Sequence, residues 1–283
     1  MSGAAVFKFG GTSLGDASRI ADVAALIAGV ESPPVVVVSA PGGLTTALVE
    51  IADAGPRSGE SPSDGGRAGG RREPAPEARA TLREMTLNLA RRVGGDALGE
   101  EIERLVLDRL ATFDRDHALA AGSARDALLA VGEDVSARLL TEALERRGVE
   151  AARVDARDVI RTDDAFGSAA PDPDAIRETA RTRLLPVLAG GGVPVVQGFV
   201  GATPDGRTTT LGRGGSDLTA TLIGAALGSS AVHIWTDVDG ILTGDPRWVD
   251  RPRSLDVVGF EEAVELAWFG ARVLHAGAAK HAV

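Results

Sequence analysis

The chain has 283 residues, 44% hydrophobic and 25% charged, which excludes a disordered, collagen-like or coiled-coil chain and leaves one large α/β domain or two lobes. A formal net charge of −10 argues against a nucleic-acid partner, which needs a positive face. Cysteine is absent, removing disulfides, thiolate metal sites and a cysteine nucleophile.

Val6 to Phe9 reads as a short strand entering Gly10-Gly11-Thr12-Ser13. Ile20, Val23, Ala24 and Ile27 then fall at helical spacing. Val35 to Val38 is a continuous β-branched run, as in a strand buried on both faces of a parallel sheet. It empties into the glycine turn Ser39 to Thr45, which opens another helix. Pro56 to Glu77 holds Gly, Pro, Ser, Arg and Glu with no large apolar residue. It reads as a mobile, solvated insertion rather than a basic tether, because its charges are mixed. Helical patterning resumes near Thr81 and runs to Arg147, with breaks at Gly94-Gly95 and Gly122. Val149–Val154, Val193–Val200 and Ala231–Thr236 read as strands. Ile176–Leu188, Leu218–Leu227 and Phe260–Phe269 read as helices. Alternating strands and helices predict a mostly parallel sheet covered on both faces. No apolar run approaches a membrane span. Met1 to Gly10 lacks a signal-peptide core, so a cytoplasmic enzyme without a membrane partner is expected.

In open α/β sheets, ligands bind where strands end, and the glycines gather there. Four such loops stand out: Lys8 to Ser13, Ser39 to Thr45, Gly212 to Asp217, and Thr236 to Gly240. Lysine occurs only at Lys8 and Lys280 in a chain that otherwise writes arginine. A lysine kept at a strand end before a glycine loop is a candidate to bridge phosphates and neutralise charge in phosphoryl transfer, against the alternative of simple solvation. Neither lysine follows a glycine, which excludes a Walker A loop. Arg213 offers a fork for carboxylate or phosphate. Ser216 can donate a hydrogen bond, and Asp217 could orient Lys8 or a metal. Ser216 or Asp217 could equally cap the Leu218 helix. Glu133 could hold a substrate ammonium or merely complement a helix dipole. Thr236-Asp237 ends a strand read as buried, a usual place for nucleotide contacts, although Asp-Gly pairs mark turns anyway. His233 reads as core and His275 as packing or a cap. No histidine pair has metal-ligand spacing.

Together these motifs resemble the aspartate kinases. The resemblance is carried by Lys8 to Ser13, Ser39 to Thr45, Val131-Gly132-Glu133, Arg161-Thr162-Asp163 with Phe166-Gly167, and Gln197-Gly198-Phe199. It is strongest in Gly206 to Asp217. It continues through Trp235 to Ile241, Asp245-Pro246-Arg247 and Phe269 to His275. It implies an α/β three-layer αβα sandwich with a mostly parallel central sheet, the amino-acid kinase or carbamate kinase-like fold. One kinase domain would span 1–283. Residues 1–200, with the insertion 56–77, would form mainly the amino-acid lobe, and 201–283 mainly the nucleotide lobe.

The implied reaction moves the ATP γ-phosphoryl group to the side-chain carboxylate of L-aspartate, giving 4-phospho-L-aspartate, the first step toward lysine, threonine and methionine. Lys8 and Asp217 would be catalytic. Thr45, Glu133, Arg213, Gly214, Gly215 and Ser216 would hold aspartate. Lys8, Phe9, Gly10, Gly11, Thr236, Asp237, Leu242, Arg247, Arg272 and Val273 would hold ATP. Mg²⁺ would come with the phosphates and have no protein site of its own. Leu242 stands where many members have tyrosine, and Arg272 where lysine is usual. The family normally continues past this point with a further strand and paired regulatory ACT domains. The reading therefore expects a C-terminally incomplete nucleotide lobe, insensitivity of the isolated chain to lysine and threonine, and a homo-oligomer or a separate ACT-bearing partner. The alternatives are a kinase of another acceptor, such as glutamate, acetylglutamate or a nucleoside monophosphate, and a truncated, inactive kinase-like binding module.

Overall fold

The structure, a computed structural model, describes residues 3–55, 75–117, 121–237, 240–245 and 248–268. Its elements run β1 (Val6–Phe9), α1 (Ala17–Ala28), β2 (Val35–Val38), α2 (Leu44–Ala54), α3 (Pro76–Gly94), α4 (Asp96–Asp116), α5 (Ala121–Leu129), α6 (Val131–Glu145), β3 (Ala151–Val154), α7 (Pro173–Ala189), β4 (Val193–Gln197), β5 (Val200–Ala202), β6 (Thr208–Thr210), α8 (Gly215–Leu227), β7 (Val232–Trp235) and α9 (Phe260–Trp268). Five strands form a parallel sheet in the order β3-β4-β2-β1-β7, and β5 pairs antiparallel with β6 in a separate hairpin.

The pleat divides the core in two. Phe7, Phe9, Val36 and Val38 face one apolar cluster, shared with α1 to α6. Val6, Val35 and Val37 face the other, shared with α7 and α8. Successive strand residues point to opposite faces. Lys8 lies between Phe7 and Phe9, so its side chain leaves the sheet on the α8 side. The β-branched run 35–38 is wholly buried, as a central parallel strand requires.

The structure departs from the sequence reading at several points. The helix expected from Thr81 begins at Pro76, where proline occupies the first turn with Glu77 beside it. Pro76 and Glu77 therefore leave the expected insertion, and residues 56–74 lie outside the described residues. Gly122 falls inside α5 rather than in a break. The strand expected over 193–200 stops at Gln197, and the chain turns into the β5–β6 hairpin. His233 is exposed rather than core, because β7 is the outer strand among the described residues and presents alternate side chains to solvent. Its ring packs edge-on against Phe7, with centroids 4.9 Å apart. His275 lies outside the described residues.

Candidate active site

The glycine loops at the C-terminal ends of β1, β2 and β4 converge with the start of α8 on one cavity of about 250 Å³. Lys8, Glu133 and Asp217 supply its charged lining, and Ser39, Thr45 and Ser216 its hydroxyls. Leu129 and Phe199 form its apolar wall beside Gly212, Gly214 and Gly215.

Lys8 crosses to Asp217 on the first turn of α8, with Nζ 2.8 Å from Oδ1 and both side chains largely buried. The angle makes this a charge contact rather than an aligned hydrogen bond. Simple solvation of Lys8 is thereby excluded. The ammonium also lies over Gly10, 3.7 Å from where a Cβ would stand. Helix α8 starts from Gly214, which adopts φ 72°, and no side chain caps it. The reading of Ser216 or Asp217 as a side-chain cap is thus corrected: both lie inside the helix. An uncapped helix start facing a cavity is a ready anion site.

Glu133 sits in the first turn of α6 and is buried. Its Oε1 accepts the Ala40 N–H at 3.1 Å, and Ser136 one turn on donates to the Ser39 carbonyl at 2.7 Å. The helix can come this close to the β2 loop because residue 132 is glycine; a Cβ there would lie 2.5 Å from the Ala40 Cβ. Burial pushes the Glu133 pKa up to about 8. The Ala40 and Glu133 amides and Arg157 oppose that rise, while Asp134 adds to it. A carboxyl in this state lacks a cation, and an incoming ammonium would supply one.

Next to it, Asp134 is pinned by Arg157, with Nη1 at 3.0 Å and Nη2 at 3.1 Å, and by Gln197 Nε2 at 3.0 Å. Burial works against the Arg157 charge, but Asp134 and Asp155 outweigh it and hold its pKa above the usual value. The Arg157 fork ties the start of α6 to the 155–158 turn, and Gln197 ties it to β4.

The remaining expected site residues are not all gathered on the cavity. Thr45, Gly214, Gly215 and Ser216 line the cavity. Arg213 stands between two lining glycines with its side chain exposed, free of ion pairs among the described residues. Gly10 and Gly11 do not line the cavity itself; Gly10 lies under the Lys8 ammonium, and its N–H donates to the Trp235 carbonyl at 3.2 Å, which joins the β1 loop to the end of β7. Thr236 and Asp237 follow that point, exposed, with the Thr236 hydroxyl 3.2 Å from Asp237 Oδ1. The strand they end is half-exposed rather than buried. Leu242 lies apart, bridged to Ser254. The Phe9 ring is core, stacked on Trp235 with centroids 6.0 Å apart, and its carbonyl accepts the Ser39 N–H at 3.1 Å, so neither ring nor carbonyl is free for a ligand. Arg247, Arg272 and Val273 lie outside the described residues.

Ser39, Leu129, Phe199 and Gly212 also line the cavity, though none was singled out as a contact from sequence. Leu129 had a readable signal: it precedes Glu133 by four residues on a helical path, hence on the same face. Phe199 holds φ at +66°, a left-handed conformation that costs a non-glycine residue energy and clusters at functional sites. Among the described residues, no group of three or more His, Asp or Glu could hold a metal ion, and no helix is long and apolar enough to cross a membrane.

A parallel sheet with glycine loops, a lysine–carboxylate pair and an uncapped helix start makes a site suited to a small anionic ligand. The chain belongs to the amino acid kinase family, whose model matches residues 4–283. It is 41% identical over 276 residues to the lysine-sensitive aspartokinase 3 of Escherichia coli, covering 97% of this chain and 58% of that protein. It is 35% identical to the chloroplastic aspartokinase 1 of Arabidopsis thaliana, covering 95% of this chain and 46% of that one. The solved structure of E. coli aspartokinase III with aspartate and ADP superposes with a TM-score of 0.86 at 38% identity, over 99% of this chain and 59% of that one. The chain thus spans about half the length of the curated relatives it matches.

Proposed function

We propose that the chain is the catalytic region of an aspartate kinase, transferring the ATP γ-phosphoryl group to the side-chain carboxylate of L-aspartate. The observation that carries this reading is the placement of the Lys8–Asp217 pair and Glu133 on one cavity. The first pair suits phosphoryl chemistry, and the buried Glu133 carboxyl suits a ligand ammonium. Arg213, in the turn between the lining residues Gly212 and Gly214, suits the α-carboxylate. The E. coli relative named above was solved with aspartate and ADP, which supports the same two ligands here.

In this mechanism the acceptor carboxylate is already ionised and attacks the γ-phosphorus directly, so no general base is required. The bond from phosphorus to the bridging oxygen breaks, and ADP leaves with that electron pair. Lys8 neutralises the charge that spreads over the phosphoryl oxygens, and Asp217 holds Lys8 in place. The backbone N–H groups at the start of α8 and that of Gly11 are available to phosphate oxygens, while the Gly10 N–H is taken by the Trp235 carbonyl. A magnesium ion would enter with the nucleotide phosphates and add charge neutralisation. The product, 4-phospho-L-aspartate, would place the chain at the head of lysine, threonine and methionine synthesis, in the cytoplasm.

The test is ADP release with L-aspartate, L-glutamate, N-acetylglutamate and a nucleoside monophosphate as separate acceptors. Turnover with aspartate alone supports the reading. Preference for another acceptor, or none with any, overturns it in favour of a different kinase or an inactive module.

A further inference from the structure

Helices α5 and α6 follow one helical path. Ala130 between them is itself helical (φ −66°, ψ −14°). Its N–H donates to the Asp126 carbonyl, and Asp134 N–H donates to the Ala130 carbonyl. Asp126 and Glu133 are seven residues apart on this path, two turns, and share a face with Leu129 between them. Glu133 and Leu129 line the cavity. Asp126 does not; it is wholly buried and meets β6 and the 163–170 loop.

Its Oδ2 accepts two backbone N–H groups, from Thr210 at 2.7 Å and Gly167 at 2.8 Å. Those residues belong to separate segments. Thr210 ends β6, two residues before Gly212 and three before Arg213. Gly167 sits in the 163–170 loop, whose Ala169 N–H donates to the Thr210 carbonyl at 2.9 Å. Gly212 rests on that same loop, so a Cβ there would lie 3.2 Å from the Gly167 carbonyl. Asp126 Oδ1 and the Thr210 hydroxyl are both buried here. A buried carboxyl that holds backbone N–H groups from two separate segments is more than packing needs at this point.

We propose that Asp126 is a positioning residue for the acceptor site: it ties the Thr210 and Gly167 amides to the helix bearing Glu133, and so fixes the Gly212–Gly214 turn and Arg213 relative to Glu133. This rests on the proposed function, in which Glu133 and Arg213 grip opposite ends of the same small acceptor. Such a grip works only at one separation. If Asp126 loses its acceptor oxygens, two buried N–H donors are left unpaired, the 163–170 loop parts from β6, and the turn shifts. Among the described residues, no hydrogen bond joins Asp126, Thr210 or Gly167 to the β1 loop or to β7.

The experiment compares Asp126→Ala and Asp126→Asn with wild type. Asn keeps an oxygen that can accept both N–H groups; Ala keeps none. The expected result is a rise in KM for aspartate of about tenfold to a hundredfold in Asp126→Ala, the scale of an ångström-level misplacement. KM for ATP stays within about threefold, and Asp126→Asn recovers most of the loss. If Asp126→Ala does not fold, Asp126→Ser, whose short hydroxyl cannot span both amides, takes its place with the same expectation. Unchanged KM values in a folded variant, or parallel rises for both substrates, overturn the proposal whatever happens to the melting temperature. Amide hydrogen exchange over 165–169 and 208–214 reads the tie without turnover. Faster exchange in the Ala or Ser variant, with Asn like wild type, supports the tie even if wild type proves not to phosphorylate aspartate. Unchanged exchange overturns it, and the two failures are thereby distinguished.

Discussion

Lys8 and Arg213 carry opposite kinds of test because they sit differently in the same wall. Lys8 is buried against Asp217 and held over Gly10, so both its charge and its shape are fixed by the site. Lys8→Arg keeps the charge but replaces a compact ammonium with a planar fork that the space over Gly10 does not match. The expected outcome is a folded protein whose kcat falls about 10²–10³-fold, the usual loss for one preorganised charge contact. Near wild-type turnover in steady-state assays would remove Lys8 from the chemistry. Arg213 is exposed and free of ion pairs among the described residues, so its loss should leave stability almost untouched. Arg213→Ala is expected to raise KM for aspartate by roughly 10-fold or more, the scale of one charge-assisted contact, with KM for ATP nearly constant. Equal loss of both affinities would place Arg213 on the nucleotide instead.

At the scale of elements, α6 is the piece whose approach decides the site. Replacing glycine by alanine inside a helix ordinarily stabilises it by about 1 kcal/mol. At Gly132 the sign reverses, because the new Cβ would meet the Ala40 Cβ at 2.5 Å and the neighbour is a short, packed side chain that cannot swing away. Gly132→Ala is expected to cost about 1–3 kcal/mol in urea unfolding and to raise KM for aspartate, since Glu133 moves with the helix. A stabilised variant with unchanged KM would show that α6 has slack. How α6, the loops and the sheet read from sequence follows from the same physics. The strands β1 and β2 were legible because buried parallel strands are written as unbroken apolar runs, and the glycine loops because glycine marks their ends. Hairpin β5–β6 was not: three-residue strands are too short for a period, and its buried Thr208 to Thr210 look like loop composition. Asp126, Asp134 and Arg157 were also missed as structural groups, because charged residues in helical patterns normally face water. Their burial is set by partners 23 to 84 residues away, which no local window contains. Lys8, Glu133 and Asp217 were legible as candidates, but the cavity that unites them depends on sheet order.

Over the whole molecule, the buried carboxyl of Glu133 should make stability and substrate binding respond to pH in opposite directions. Folding raises its pKa from an ordinary 4.5 to about 8, so the folded state prefers the protonated form. A group of this kind adds its full stability below the unfolded pKa and loses it as pH climbs through the folded one. Between about pH 4.5 and 8 the ligand-free protein should therefore become progressively easier to unfold. Asp126, also raised by burial, adds a decline of the same sign that starts nearer its ordinary 3.8. Glu133→Gln removes only the Glu133 part, so the difference between the two unfolding curves isolates it. The variant should be the more stable protein at pH 8–9, yet a poor aspartate binder. Binding runs the other way, because an ammonium beside Glu133 favours the ionised carboxylate. At pH 7 the empty site holds most of a proton, and aspartate must displace it. Affinity for aspartate should then rise between pH 6 and 8, and calorimetry in two buffers of different ionisation enthalpy should register close to one proton released at pH 7. In Glu133→Gln that release should vanish. Aspartate binding with no proton release by the wild-type protein would mean that Glu133 is ionised before the ligand arrives, or that the ammonium binds elsewhere.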